Sequence, residues 1–158
     1  MVISDEVTIE PCGAEQAMEI HRLTQLAFEE HLVLDPPSGA PSETLEGVTA
    51  ELAEGGGAIA WVHGEAVGCL RYRSAHDHLW VRRVSVVPDR RRQGVARALM
   101  LWSHDEARRR GLPEVRVGVR RGLEANERLY IELGYRTVRD HYHEGYDDPT
   151  WEEMALAL

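Results

Sequence analysis

The chain has 158 residues, 43% of them hydrophobic, and a net charge of −9, enough to bury a core and read as one domain over 1–158. Its apolar runs are too short to cross a bilayer as a helix, and Met-Val-Ile-Ser-Asp-Glu lacks the basic-then-apolar order of a secretory signal. Cys12 and Cys69 lie far apart and match no metal or redox spacing, so a cytoplasmic protein with reduced thiols is expected. The charge is unevenly spread. Residues 1–70 hold 13 acidic residues and a single arginine, Arg22; residues 71–158 hold 14 acidic residues and 17 arginines, and there is no lysine. An anionic ligand therefore suits the second half and a cationic one the first.

In chain order, Val7-Thr8-Ile9 reads as a short strand. Residues 14–31 follow a helical period, with Ala17, Ile20, Leu23/Thr24 and Ala27/Phe28 on one face. Three prolines and a glycine make the segment from His31 to Pro41 a loop. Ser42 is the expected N-cap of a second helix through about Glu54, and Gly55-Gly56-Gly57 ends it. Ala58–Val62 and Ala66–Tyr72 are strands joined by His63-Gly64-Glu65, a hairpin signal. Leu79–Val87 is a strand with a phase break, since Leu79 and Val81 are apolar at odd positions but Val84 and Val86 at even ones. That predicts a β-bulge near Arg82-Arg83. Gly94 or Val95 opens a long helix to about Arg110, with Ala96, Leu99/Met100, Ser103 and Ala107 buried and Gly111 beyond its end. Val115–Val119 alternates as a strand, so the strand–helix–strand run reads as a βαβ unit with parallel strands. Glu124–Leu133 is a short helix stopped by Gly134, Tyr135–Arg139 a strand, 141–149 a polar aromatic loop and Trp151–Leu158 a last strand.

The segment Val84–Arg97 carries the clearest chemistry. An apolar strand with Val84, Val86 and Val87 runs into Pro88, three arginines, Gln93, Gly94, Val95, Ala96 and Arg97. Arg91-x-x-Gly94-x-Ala96 is neither a Walker A loop nor a dinucleotide-binding fingerprint, yet it suits a pyrophosphate. The glycine lets backbone approach closely, Ala96 keeps the turn open, and the first N–H groups of the helix point at the anion.

With that strand and helix around it, Arg91-Arg-Gln-Gly94-Val-Ala96 resembles the Arg/Gln-x-x-Gly-x-Gly/Ala motif of the GNAT superfamily of N-acetyltransferases. Leu129-Tyr130-Ile-Glu-Leu-Gly134-Tyr135 is similar to that family's Leu-Tyr-x-x-x-Gly-Phe/Tyr, and the likeness covers most of the chain. The resemblance implies an α/β (α+β type) fold: a mixed, mostly antiparallel sheet of about seven strands with a central splayed parallel pair, flanked by about four helices. It implies acetyl-CoA as donor, its pyrophosphate on the N–H groups from Arg92 to Arg97 and its pantetheine arm along Val84 and Val86. It also implies a backbone N–H near these residues to stabilise the oxyanion, and no metal. Tyr130 is the candidate general acid for the departing thiolate, a phenol of pKa about 10 facing a thiol of about 8.5. Asn126, four residues earlier on the same face, is a candidate for a pantetheine amide; the commoner pattern has Asn seven before the tyrosine, where Leu123 stands.

No base stands out. Trp80 occupies the place where some relatives carry a glutamate, which leaves His78, His31, Glu29, Glu30 and Asp35 as candidates, as well as a water chain. His76-x-His78 and His141-x-His143 have a spacing that could hold a metal but lack a carboxylate or cysteine partner, and read as loop histidines. The expected acceptor is a primary amine, on a small molecule or at a peptide or protein N-terminus. Its site would be formed by the first helices, the Pro-Pro loop and the 141–149 loop. The alternatives are a silent acyl-CoA sensor and, against the net charge, a nucleic-acid binder using Arg82, Arg83 and Arg90–Arg92. A homodimer is one assembly the chain could form; no membrane partner is expected.

Overall fold

The computed structural model describes residues 6–29 and 36–158. Seven strands, β1 (Val7–Cys12), β2 (Gly56–Val62), β3 (Glu65–Ser74), β4 (Leu79–Val86), β5 (Glu114–Arg120), β6 (Arg136–His141) and β7 (Trp151–Ala157), form one sheet in the order β1-β2-β3-β4-β5-β7-β6. Four α-helices accompany them: α1 (Ala17–Phe28), α2 (Leu45–Glu54), α3 (Val95–Arg109) and α4 (Glu124–Glu132). The expected class holds: a mixed, mostly antiparallel sheet with one parallel pair, β4 with β5. The chain divides into two compact units, one made of residues up to Arg73 and Arg83–Trp102, the other of Ser74–Arg82 and Ser103–Leu158.

In the first unit, β1 and β2 pair antiparallel from Val7↔Val62 to Cys12↔Gly57, and β2 pairs with β3 across the two-residue turn His63-Gly64. β2 and β3 are buried on both faces. One face carries Ile59, Ala66 and Cys69 against Ala17, Ile20 and Leu23 of α1 and Val48 and Leu52 of α2. On the other, a Cβ at Gly68 would lie 3.0 Å from Val95 and 3.4 Å from Leu99 of α3. Buried among them is a charge. The side chain of Arg71 on β3 is 0% exposed; it donates to Glu43 at 2.7 and 3.0 Å, to Glu51 of α2 at 2.9 Å and to Thr24 of α1 at 3.1 Å. Glu43 also accepts from Arg83 at 3.3 Å. These two guanidinium groups hold the Glu43 carboxyl below its ordinary range despite its burial.

Several local expectations are corrected. Residues 14–16 form a 3-10 turn before α1, which ends at Phe28, and positions 30–31 of the expected helix lie outside the described residues. The N-cap of α2 is Thr44, whose hydroxyl accepts from the Gly47 N–H at 3.1 Å. Ser42 instead closes a 3-10 turn by donating to Gly39; both hydroxyls precede the helix, and spacing alone does not choose between them. Only Gly55 ends α2; Gly56 and Gly57 already belong to β2, where a Cβ at Gly57 would meet the Leu70 carbonyl at 2.8 Å.

In the second unit, the start of β4 runs parallel to β5 in the register Leu79↔Val115, Trp80↔Arg116, Val81↔Val117. β7 then pairs antiparallel with β5 from Glu114↔Ala157 to Arg120↔Trp151, and with β6 on its other side. The last strand is thus inserted between two earlier ones. Val115, Val117 and Val119 are buried, as are Ser103, His104, Glu106 and Ala107 of α3. At the end of α3, Leu112 N–H donates to the Ala107 carbonyl at 2.9 Å around Gly111, the expected stop.

Candidate active site

In the first unit, β4 turns left-handed at Arg83 (φ 54°), where the phase break predicts a bulge. The residues after it are not buried as their apolarity suggests. Val84 and Val86 are half-buried and Ser85 is buried, its hydroxyl donating to the Arg83 carbonyl at 2.8 Å. Val87 has both backbone groups engaged: its N–H donates to Val67 at 2.9 Å and its carbonyl accepts from Arg90 at 3.0 Å. Pro88–Arg90 form a 3-10 turn. Arg91 then points back to α1 and donates to the Ala27 carbonyl at 2.7 Å, so this guanidinium secures the end of a helix. Gln93 is exposed and donates to the Asp89 carbonyl at 3.3 Å.

Arg92 (φ 62°) and Gly94 (φ 82°) both adopt left-handed backbone, which turns the chain sharply into α3. Such alternation gathers N–H groups into an anion-holding concavity. Ala98 N–H donates to the Gly94 carbonyl at 2.9 Å, so α3 makes its first turn here. The N–H groups of Val95, Ala96 and Arg97 precede any intrahelical acceptor and carry the positive end of the helix dipole. Nothing lies within 4 Å of where a Gly94 Cβ would stand. The glycine is needed for its φ, and the backbone there faces open space. Val95 is buried and anchors the turn, Ala96 is half-buried, and Arg92 and Arg97 are exposed.

In the second unit, Tyr130 is the buried residue of α4, 7% exposed. Burial pushes its hydroxyl well above the usual phenol range, so it stays protonated at neutral pH. Its ring stands edge-on to Tyr135, with centroids 5.5 Å apart and planes at 75°. Asn126 sits in the first turn of α4 with its side chain exposed. Sequence reasoning missed His104, which lies on the buried face of α3 with its Nε2 2.8 Å from the Tyr135 hydroxyl. Its signal was present, because 104 falls between Met100 and Ala107 at helical spacing. It also missed Arg71, for which an unbroken buried strand gives no signal.

Of the candidate bases, Glu30, His31 and Asp35 lie outside the described residues. Glu29 is exposed, and His78 is bonded to Asp77 at 2.8 Å. Trp80 and Trp151 flank Gly118: a Cβ there would lie 3.2 Å from Trp151 and 3.8 Å from Trp80. His141 stacks on Trp151 at 3.8 Å and bonds to Glu153 at 3.1 Å, and His143 bonds to Thr150. Among the described residues no group of three His, Cys, Asp or Glu is placed to hold a metal ion, and no helix is long and apolar enough to cross a membrane. Burial raises both thiols, Cys12 to about 12 and Cys69 to about 11, so neither is a ready nucleophile.

A mixed sheet with one parallel pair, whose inner strand turns left-handed at Arg83 and leads through Pro88–Arg90 into the start of α3, is the frame on which an enzyme family is built. The chain belongs to the acetyltransferase (GNAT) family, whose model matches residues 19–135. Solved structures agree on the fold. The PaiA N-acetyltransferase from Thermoplasma acidophilum, in complex with coenzyme A, superposes with a TM-score of 0.80 at 13% identity, covering 97% of this chain and 99% of its own. The ribosomal-protein-S18-alanine N-acetyltransferase from Escherichia coli gives 0.77 at 21% identity, covering 96% and 94%. Diaminobutyrate acetyltransferase EctA from Paenibacillus lautus, in complex with L-2,4-diaminobutyric acid and coenzyme A, gives 0.73 at 16% identity, covering 97% and 95%.

Proposed function

We propose that residues 1–158 act as one cytoplasmic acetyltransferase domain that moves an acetyl group from acetyl-CoA directly to a primary amine, with no metal. The observation that carries this reading is the double left-handed turn at Arg92 and Gly94, which opens α3 toward open space. An anion of pyrophosphate geometry suits the N–H groups from Arg92 to Arg97, and the half-buried stretch at Val84 and Val86 offers the backbone of an extended strand to the pantetheine arm. Val87 contributes by shape only, since its backbone is engaged. Arg91 fixes the loop to α1, and Gln93 braces it from Asp89. Asn126, exposed in the first turn of α4, is the proposed partner of a pantetheine amide. Tyr130 protonates the departing sulfur. Its raised pKa makes it a weaker acid than an exposed phenol, so the near match to a free thiol is lost, and the transfer rests on the same burial making the departing thiolate more basic as well.

The amine acceptor is supported by the family and by the acidic first half of the chain. The test is calorimetry with acetyl-CoA, then thiol release with a panel of amines: 1,4-diaminobutane, L-2,4-diaminobutyrate and an alanine-initial peptide. Binding followed by amine-dependent thiol release is the expected result. Binding with no release for any amine favours an acyl-CoA sensor, a reading to which Trp80 at the place of a glutamate base lends weight.

A further inference from the structure

Three residues of the second unit are tied in series. His104, 4% exposed on α3, holds the hydroxyl of Tyr135 at 2.8 Å from its Nε2. Tyr135, also 4% exposed, meets Tyr130 twice. Its ring lies edge-on to the Tyr130 ring at 5.5 Å, and its N–H donates to the Tyr130 carbonyl at 2.9 Å around Gly134 (φ 98°). This is the six-to-one bond of a glycine-terminated helix with its accompanying side-chain contact. The nine-residue α4 is too short to hold a conformation by itself, and Tyr130 is its buried residue. The direction of the Tyr130 ring is therefore set by what it packs on. A phenylalanine at 135 would supply the ring and the backbone bond, so the Tyr135 hydroxyl and its buried imidazole partner call for a reason beyond packing. The imidazole is neutral at physiological pH, because burial and the nearby Arg108 push it down to about 4, and it meets the phenol as a neutral partner.

We infer that Tyr135, with its hydroxyl held by His104, is a positioning residue for Tyr130. It fixes the plane of the Tyr130 ring and so the direction in which that O–H is presented. The inference rests on the reading of Tyr130 as general acid. Displacing a catalytic group by about 1 Å costs up to ~100-fold in rate, so a tether of this kind acts on turnover and leaves donor binding alone.

The test measures thiol release from acetyl-CoA with the three amines named above and with water alone as acceptor, and acetyl-CoA affinity by calorimetry. Tyr135→Phe is expected to lower kcat about 10-fold with acetyl-CoA affinity unchanged. His104→Leu does the same, while His104→Gln, which offers an acceptor near the position of Nε2, stays within about 2-fold of the parent. In a Tyr130→Phe background, adding Tyr135→Phe costs nothing further, because the group being positioned is gone. Parental kcat in Tyr135→Phe, a parallel loss of acetyl-CoA affinity, or additive losses in the double variant would each overturn the inference. If Tyr130→Phe itself keeps full kcat, the general-acid reading falls and takes this one with it. If Tyr130→Phe loses turnover and Tyr135→Phe does not, only the positioning role falls.

Discussion

Arg92 and Gly94 share a left-handed backbone, and they answer substitution in opposite ways. At Gly94 any side chain must adopt φ near 82°, a strain of roughly 1–3 kcal/mol that a β-branched residue cannot relieve. Gly94→Val is expected to weaken acetyl-CoA binding at least ~10-fold by calorimetry, as the turn relaxes and the N–H groups lose their convergence. Arg92 already bears that strain, so Arg92→Gly relieves it while removing an exposed charge worth at most about 1 kcal/mol. Its expected loss is under about 5-fold; a larger one would mean that the guanidinium, not the backbone, holds the phosphate. Gly94 was legible in the sequence because a glycine before a helical period has a specific backbone use. The glycine-stopped turn from Tyr130 to Tyr135 was legible from its motif, while the bond that His104 makes to the Tyr135 hydroxyl was not. The His104–Tyr135 bond joins residues 31 apart in sequence, and no spacing rule pairs them.

At the scale of elements, the Arg71 cluster joins α1, α2 and β3 and reaches the left-handed residue of β4 through Glu43 and Arg83. A buried guanidinium that loses part of its countercharge is costly. Glu43→Gln is expected to lower unfolding stability by about 3 kcal/mol in urea titration; a loss under about 0.5 kcal/mol would show the cluster to be a solvated one. The phase break fell where Arg83 turns left-handed, and helices and most strands followed from apolar period and turn residues. The half-buried state of Val84 and Val86 did not, because apolarity alone cannot say whether a neighbour or a ligand covers a strand. The choice of Thr44 over Ser42 as N-cap was hidden for a similar reason, since either hydroxyl precedes a helical period. Thr44→Ala should cost about 1 kcal/mol and Ser42→Ala less.

For the molecule as a whole, His104 and Glu43 stand out among the depressed groups that shape the response to acid. His104 titrates near 6.5 when exposed and near 4 in the fold, so between those values the unfolded chain binds the proton first. Its contribution is complete above about pH 6.5, declines as pH falls toward 4, and amounts to about 3 kcal/mol. Glu43 is likewise depressed in the fold. Its contribution is present above the free carboxylate value of about 4.3 and is lost as pH falls through the lower folded value. Stability followed by urea titration across pH should therefore decline in two stages, and His104→Gln should shrink the first, leaving the part owed to His143, which burial and Arg120 also hold below the ordinary imidazole range. A single decline confined to below pH 4 would refute the assignment to His104. The parallel pair was legible at this scale from the length of the intervening helix. The place of β7 was not, since alternation in a strand says which faces are buried and leaves its neighbours unspecified.

That place of β7 sets the order of events during synthesis. β5 and β6 leave the ribosome first; β5 can pair with β4 at once, but β6 is joined to the sheet only through β7, a strand made after both. Until then β6 has no partner, and the edge of β5 that will receive β7 is an open template for other chains. A ribosome-stalled chain ending at Thr150 should expose that edge to proteolysis and co-aggregation. Release of the remaining residues should close it in a late, cooperative step.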